Sequence, residues 1–128
     1  MATQTTSYRN YMAQSVASMT PGEQIVLLFR HAAGKIAKAI QCIEKKDVNG
    51  AHNAIVSAKN IYAYLSDSLD LRYEISMNLF SLYEYAQDRL TEANIRKDPA
   101  ILEQVLKMTR SFCETWEQTT AAVAKSSQ

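Results

Sequence analysis

Glycine and proline are scarce in this chain, three and two among 128 residues. A sheet-rich fold with many tight turns needs more of both, so the expectation is long, uninterrupted helices. No run of 18 or more apolar residues occurs, which argues against a transmembrane helix and stable membrane insertion. A basic excess is also missing: the formal net charge is +1, and Lys and Arg are interleaved with Asp and Glu as on a solvated helix surface. That balance argues against a nucleic-acid partner gripped through its phosphates. The opening residues, MATQTTSYRNYM, lack the basic start and apolar core of a secretory signal, so a cytosolic location is expected. Cysteine occurs only at positions 42 and 113, and both residues read as small buried thiols rather than a disulfide pair.

Convergent polar chemistry is equally hard to find. His31 and His52 fall on different predicted helices, and no Glu-x-x-His motif appears, which removes the di-iron carboxylate type of helical bundle. There is no glycine-rich phosphate loop. Asp67, Asp70 and Glu74 sit near a helix junction, where caps and solvated charges account for them. No catalytic residue, metal ligand or cofactor is assigned, and an enzyme is not expected.

What the chain has is helical periodicity. Thr20-Pro21-Gly22-Glu23 places Thr at an N-cap, Pro at the first helical position and Glu three residues after the cap, a capping box. The helix that follows carries Ile25, Leu28, Phe29, Ala32, Ile36, Ala39, Ile40 and Ile43 on one broad face and should end near Lys45-Lys46. Asp47 can cap a second helix with the face Ala51, Ala54, Ile55, Ala58, Ile61, Tyr62, Leu65 and Leu69. A turn near Asp70–Arg72 leads to a third, whose stripe is Leu79, Leu82, Tyr83, Ala86, Leu90 and Ala93 and which should end at Arg96 or Lys97. Asp98-Pro99 restarts the chain into a fourth stripe: Leu102, Val105, Leu106, Thr109, Phe112, Cys113 and Trp116. Short turns between long amphipathic helices imply an all-α, antiparallel four-helix bundle. Its expected span is residues 19–124, after a flexible N-terminal segment or short helix over residues 1–18 and before a frayed tail at 125–128.

The third helix has too many apolar faces. Met77, Phe80 and Tyr85 lie off its stripe, where a helix with a single buried face would be polar. Ile25-Val26-Leu27-Leu28-Phe29 is apolar all round for more than a turn, and Ile61-Tyr62-Ala63-Tyr64-Leu65 adds aromatics on adjacent faces. Two readings fit: helices more deeply buried than usual, or a groove for a helical or extended peptide.

The ordered set of short motifs closely resembles one family. Tyr11-x-x-x-x-Val16, Thr20-Pro21-Gly22-Glu23 and Leu27-Leu28-Phe29 come first, then Ala58-Lys59-Asn60-Ile61 and Leu65-x-x-x-Leu69. The densest stretch is Asn78-Leu79-x-x-Leu82-Tyr83-x-Tyr85 with Arg89-Leu90-x-x-Ala93-Asn94-Ile95-x-x-Asp98, and Leu102-x-x-Val105 and Trp116 close the set. Together they resemble the flagellin-specific export chaperones, the FliS family, over about residues 11–117. Many members carry a glycine pair ahead of the third long helix, where this chain has Asp70-Leu71-Arg72-Tyr73-Glu74, and an acidic or amide residue plus Gly where it has Arg30-His31.

The resemblance implies a non-enzymatic, all-helical cytosolic chaperone. Its implied client is the disordered C-terminal segment of flagellin, kept from polymerising early and delivered to the export gate of the flagellar type III apparatus. A further flagellar regulator is a second implied partner. The alternative is an oligomerising helical scaffold or adaptor without a peptide client. Under the chaperone reading the client-contact candidates are Tyr11, Ile55, Ala58, Ile61, Tyr62, Leu65, Leu82, Tyr83 and Arg89, with Asn78 and Asn94 as polar contacts. Each has a plainer role open to it: bundle core for the apolar ones, an ion pair for Arg89, caps or inter-helix hydrogen bonds for the two asparagines. Tyr11 precedes the capped bundle and has no obvious core to join; the resemblance implies that the N-terminal segment bearing it can lie over part of the apolar surface when the client is absent.

Overall fold

The computed structural model describes residues 18–126, the last four by their backbone alone. Four helices follow one another: α1 (Pro21–Glu44), α2 (Val48–Asp67), α3 (Glu74–Arg96) and α4 (Pro99–Ser126). No strand occurs among the described residues. Helix α1 packs on α2 and α4, α2 on α3, and α3 closes the ring against α4 with the sparsest contact of the four. The expected segment 1–18, with Tyr11, lies outside the described residues apart from Ser18.

Local chemistry sets the helix boundaries. Thr20 Oγ1 accepts from the Glu23 backbone N–H at 3.2 Å while the Glu23 carboxylate reaches back to the Thr20 N–H, so the capping box forms and Pro21 opens α1. Asp47 Oδ1 accepts from the Gly50 N–H at 2.9 Å and starts α2. Asp98 Oδ1 accepts from the Ala100 N–H at 2.9 Å at the start of α4. Each bond satisfies a backbone donor that has no partner inside its helix. Helices α1 and α3 stop against residues in the left-handed region, Lys46 (φ 62°) and Lys97 (φ 50°). Lys97 Nζ bonds back to the carbonyl and side-chain oxygens of Asn94, tying down the end of α3. Helix α4 runs on to Ser126, past the boundary expected at 124, because 121–126 carries no residue that would break it.

The core follows the four stripes, with differences of detail. Val26 and Ile101 join it, Cys113 is buried, and Cys42 is only half-buried. Two halves of the interior differ in character. Toward the α1–α2 turn it is built from small residues (Ala39, Ala51, Ala54, Ala93), which let helices approach closely. Toward the other end it holds four rings, one from each helix: Phe29, Tyr62, Tyr83 and Phe112. Phe29 stacks on Phe112 with centroids 5.4 Å apart; Tyr83 meets Phe112 edge-on at 5.4 Å and lies 5.9 Å from Tyr62. Such pairs contribute about 0.5–1.5 kcal/mol each beyond the area they bury.

The Tyr62 hydroxyl is satisfied inside this cluster. Thr109 Oγ1 donates to the Val105 carbonyl at 2.7 Å, so in its bond with Tyr62 the threonine oxygen accepts and the phenol donates. Burial pushes the Tyr62 phenol above its ordinary pKa, and the proton stays in place at any physiological pH. The two ends of this bond are therefore unequal. Tyr62→Phe leaves Thr109 still bonded to Val105 and should cost about 1 kcal/mol; Thr109→Val strands a buried phenol and should cost more, up to about 3 kcal/mol. Denaturant melts of the two single variants and the double variant measure the difference; equal losses would contradict the assigned donor.

Candidate functional site

The largely apolar groove at the ring-bearing end of the bundle is the candidate site. It encloses about 460 Å³ and draws on all four helices: Ile25 and Leu28 of α1, Tyr64 and Leu65 at the end of α2, Ile75 and Leu79 at the start of α3, and Trp116 of α4, with Leu69 and Asp70 from the α2–α3 turn. Tyr83 belongs both to the groove lining and to the ring cluster, so the core's rings form the groove floor. Burial raises its phenol pKa.

The rim is more exposed than a finished core would be. Ile75 is 68% exposed and Tyr64 60%, and Leu71, Tyr73 and Met77 continue the apolar surface around the α2–α3 turn. An exposed apolar patch of this kind marks a contact surface. Among the described residues Asp70 is the only charged one lining the groove; Arg72 grips it through hydrogen bonds of 2.6–3.2 Å and holds its carboxyl below the usual range. Asp67 and Glu74 lie exposed nearby, so the rim is mildly acidic.

The described sequence candidates divide into five groups. Leu65 and Tyr83 line the groove. Ile61 is half-buried against the core. Asn78, Leu82 and Arg89 stand together on one flank of α3, at steps of four and seven residues. That flank faces α4, because Arg89 Nη2 donates to Gln104 Oε1 at 3.0 Å; Arg89 Nη1 also reaches Glu92 at 2.7 Å. Ile55, Ala58 and Tyr62 are sealed in the core with no exposed surface. This corrects their assignment as surface contacts: they sit at the centre of the α2 stripe, between α1 and α3, and a partner would have to part the helices to reach them. Asn94 is at the opposite end of α3, where it bonds His52 Nδ1 at 3.0 Å and Lys97. It serves the inter-helix role that was its plainer reading.

Leu82 needs a second correction, as it was placed on the buried stripe of α3. At 100° per residue the buried set Tyr83, Ala86, Leu90 and Ala93, with half-buried Leu79, centres away from position 82, and Leu82 is 42% exposed. The missed groove residues include Ile25, Leu28, Tyr64, Leu69, Ile75, Ser76, Leu79 and Trp116. The all-round apolar run at Ile25–Phe29 was the available signal for the first two.

No described helix is long and apolar enough to cross a membrane, and no group of His, Cys, Asp and Glu among the described residues could hold a metal ion. The Cys113 thiol, 3.4 Å from Glu117, has its pKa raised by burial. Arg30 pairs with Glu117 at 2.8 Å on the surface, a bond that holds the Glu117 carboxyl low. Such exposed pairs add little to stability.

Comparison with known proteins fits this architecture. The family described as "FliS: Flagellar protein FliS" matches residues 4–123. The "Flagellar secretion chaperone FliS" of Bacillus subtilis (strain 168) is 32% identical over 111 residues, covering 87% of this chain and 84% of that protein. The protein of the same name from Salmonella typhimurium is 34% identical over 107 residues, covering 81% and 79%. A solved structure described as "Crystal structure of flagellar chaperone from bacteria" superposes with a TM-score of 0.75, covering 93% of this chain and 98% of that one, at 10% identity. That last likeness concerns the fold alone.

The exposed rim can be tested apart from any partner. Replacing Tyr64 and Ile75 together by serine should move the melting temperature by no more than about 2–4 °C, because both side chains are mainly in water. It should also reduce the fluorescence of a dye that reports exposed apolar surface. A large drop in melting temperature would show that these residues belong to the core.

Proposed function

The chain belongs to the FliS family of flagellar secretion chaperones, which are not enzymes, and on that premise we propose that it binds the disordered C-terminal segment of flagellin through the groove at the ring-bearing end of the bundle. The observation that carries this reading is an open apolar groove whose rim keeps Tyr64, Leu71, Tyr73 and Ile75 in water. A monomer with no client gains nothing from that exposure.

The physical requirements of the task support the same reading. An unstructured client loses conformational entropy when it orders, so its chaperone must offer a long apolar track. Coupled folding and binding typically buries about 1,000–3,000 Å². A groove of 460 Å³ takes only part of such a segment. The α3 flank with Asn78, Leu82 and Arg89, facing the sparsest helix seam, extends the track toward the other end of the bundle. Leu65 and Tyr83 form its floor, with Ile61 behind them. By burying flagellin's sticky tail in the cytosol, the protein stops premature polymerisation and keeps the client fit for the type III export gate. Pro21, where α1 begins, lies on the groove's edge, and Tyr11, outside the described residues, is kept as a proposed client contact. A second flagellar regulator would compete for the same apolar surface.

Titration with a peptide of flagellin's C-terminal segment tests this directly, by calorimetry together with circular dichroism. The expected result is one-to-one uptake by a monomer, with more helix in the mixture than in the separate components. The Tyr64→Ser/Ile75→Ser variant should bind about tenfold more weakly, which corresponds to about 1.4 kcal/mol. A dimer that persists at all concentrations and ignores the peptide would favour the scaffold reading instead.

A further inference from the structure

Helix α3 turns a second apolar face to the water. Of the three apolar residues off its stripe, Phe80 is half-buried, but Met77 and Tyr85 are more than half exposed. Ile95 joins them at 80%, the most exposed large apolar side chain among the described residues. At 100° per residue Met77 and Ile95 fall on one line, about 27 Å apart along the axis, and Tyr85 sits between them to one side. The outside of a bundle helix should be polar here, and Met and Tyr are residue types enriched at interfaces. This face is separate from the groove. The α3 residues that line the groove, Ile75, Ser76, Leu79 and Tyr83, lie on the other side of the helix.

The charges around this apolar strip say what fits it. Glu84 and Asp88 flank the Met77–Ile95 line, and Glu74 and Glu92 fall between that line and Tyr85. Both arginines of α3 are spent on Glu92, Arg89 at 2.7 Å and Arg96 at 3.2 Å. Glu74, Glu84 and Asp88 make no ion pair among the described residues. Helix α3 thus carries four carboxylates against two arginines, in a chain whose formal net charge is +1. An apolar strip edged in this way suits a partner that brings cations to either side of its own apolar stripe, and it repels a nucleic acid or an anionic membrane. A second copy of this chain fits badly. Paired through the same face, it would set carboxylate against carboxylate. Its basic run on α1 (Arg30, Lys35, Lys38) is no better, because α1 carries none of the exposed large apolar residues.

We propose that the outer face of α3 docks a basic amphipathic helix of another protein. The apolar stripe of that helix lies on Met77, Tyr85 and Ile95, and its Lys or Arg side chains meet Glu84 and Asp88. Groove and outer face are on opposite sides of α3, so this partner docks whether or not the groove is filled. The protein can then hold two partners at once.

The probe is a synthetic peptide with leucine on one helical face and lysine on the other, beside a scrambled peptide of the same composition and a version with glutamate for lysine. Calorimetry on the full-length chain should show uptake of the lysine peptide, weakened by added salt, and about tenfold weaker binding of the scramble. Tyr85→Ser/Ile95→Ser and Glu84→Lys/Asp88→Lys should each weaken the lysine peptide about tenfold while moving the melting temperature by no more than about 2–4 °C. The charge-reversed variant should in turn prefer the glutamate peptide, a switch that a merely structural effect would not produce. Tyr64→Ser/Ile75→Ser should bind the lysine peptide as the wild type does, and saturating flagellin tail peptide should leave it in place. Loss of binding in that groove variant, or displacement by the flagellin tail, assigns the probe to the groove and overturns this inference while the client reading stands. A wild-type dimer that Glu84→Lys/Asp88→Lys takes apart gives the face to a second copy and overturns it as well. So does a wild type that binds the lysine peptide no better than the scramble.

Discussion

Four aromatic rings, one from each helix, meet at the groove-bearing end of this bundle. Every helix is held to the others there by contacts with preferred geometries, and one hydroxyl–hydroxyl bond, Tyr62 to Thr109, fixes α2 against α4. Rings are large and alanines are small. The half lined by alanine closes helix on helix; the half lined by rings leaves a groove above them. The groove is thus a consequence of how the core is filled, and its floor is as rigid as the core itself.

That arrangement bears on how a folded protein can bind an unfolded one. The floor needs no ordering when a client arrives, so the entropy lost on binding is mostly the client's. The rim residues Tyr64, Leu71, Tyr73 and Ile75 lie on or beside the α2–α3 turn, the longest of the three connections between helices. The Asp70–Arg72 pair braces that turn from outside. Rigid floor, apolar rim and a sparsely packed α3–α4 seam together give a surface that can hold a long segment without taking the bundle apart.

Helix starts were legible in the sequence because a cap is a local event. Thr20, Asp47 and Asp98 act on backbone groups within three residues of themselves, and all three do what their spacing implies. The stripes were legible too, since periodicity reports which face is buried. What periodicity cannot report is how far from water a buried face ends up. Ile55, Ala58 and Tyr62 share a stripe with Leu65, yet only Leu65 reaches the groove, because α2 passes under α1 and α3 for most of its length and emerges near its end. Ile75 and Trp116 are 41 positions apart, and only the closing of α4 against the other helices brings them to one groove.

Amide hydrogen exchange with and without the flagellin tail peptide tests the central claim most directly, that surface left over at the ring-bearing end is where a client docks. Added peptide should slow exchange at the start of α1, the end of α2 and the first half of α3, while the alanine-rich end around Ala39 and Ala51 keeps its free-state rates. Protection concentrated at that far end, or none anywhere with the peptide bound, would contradict the account.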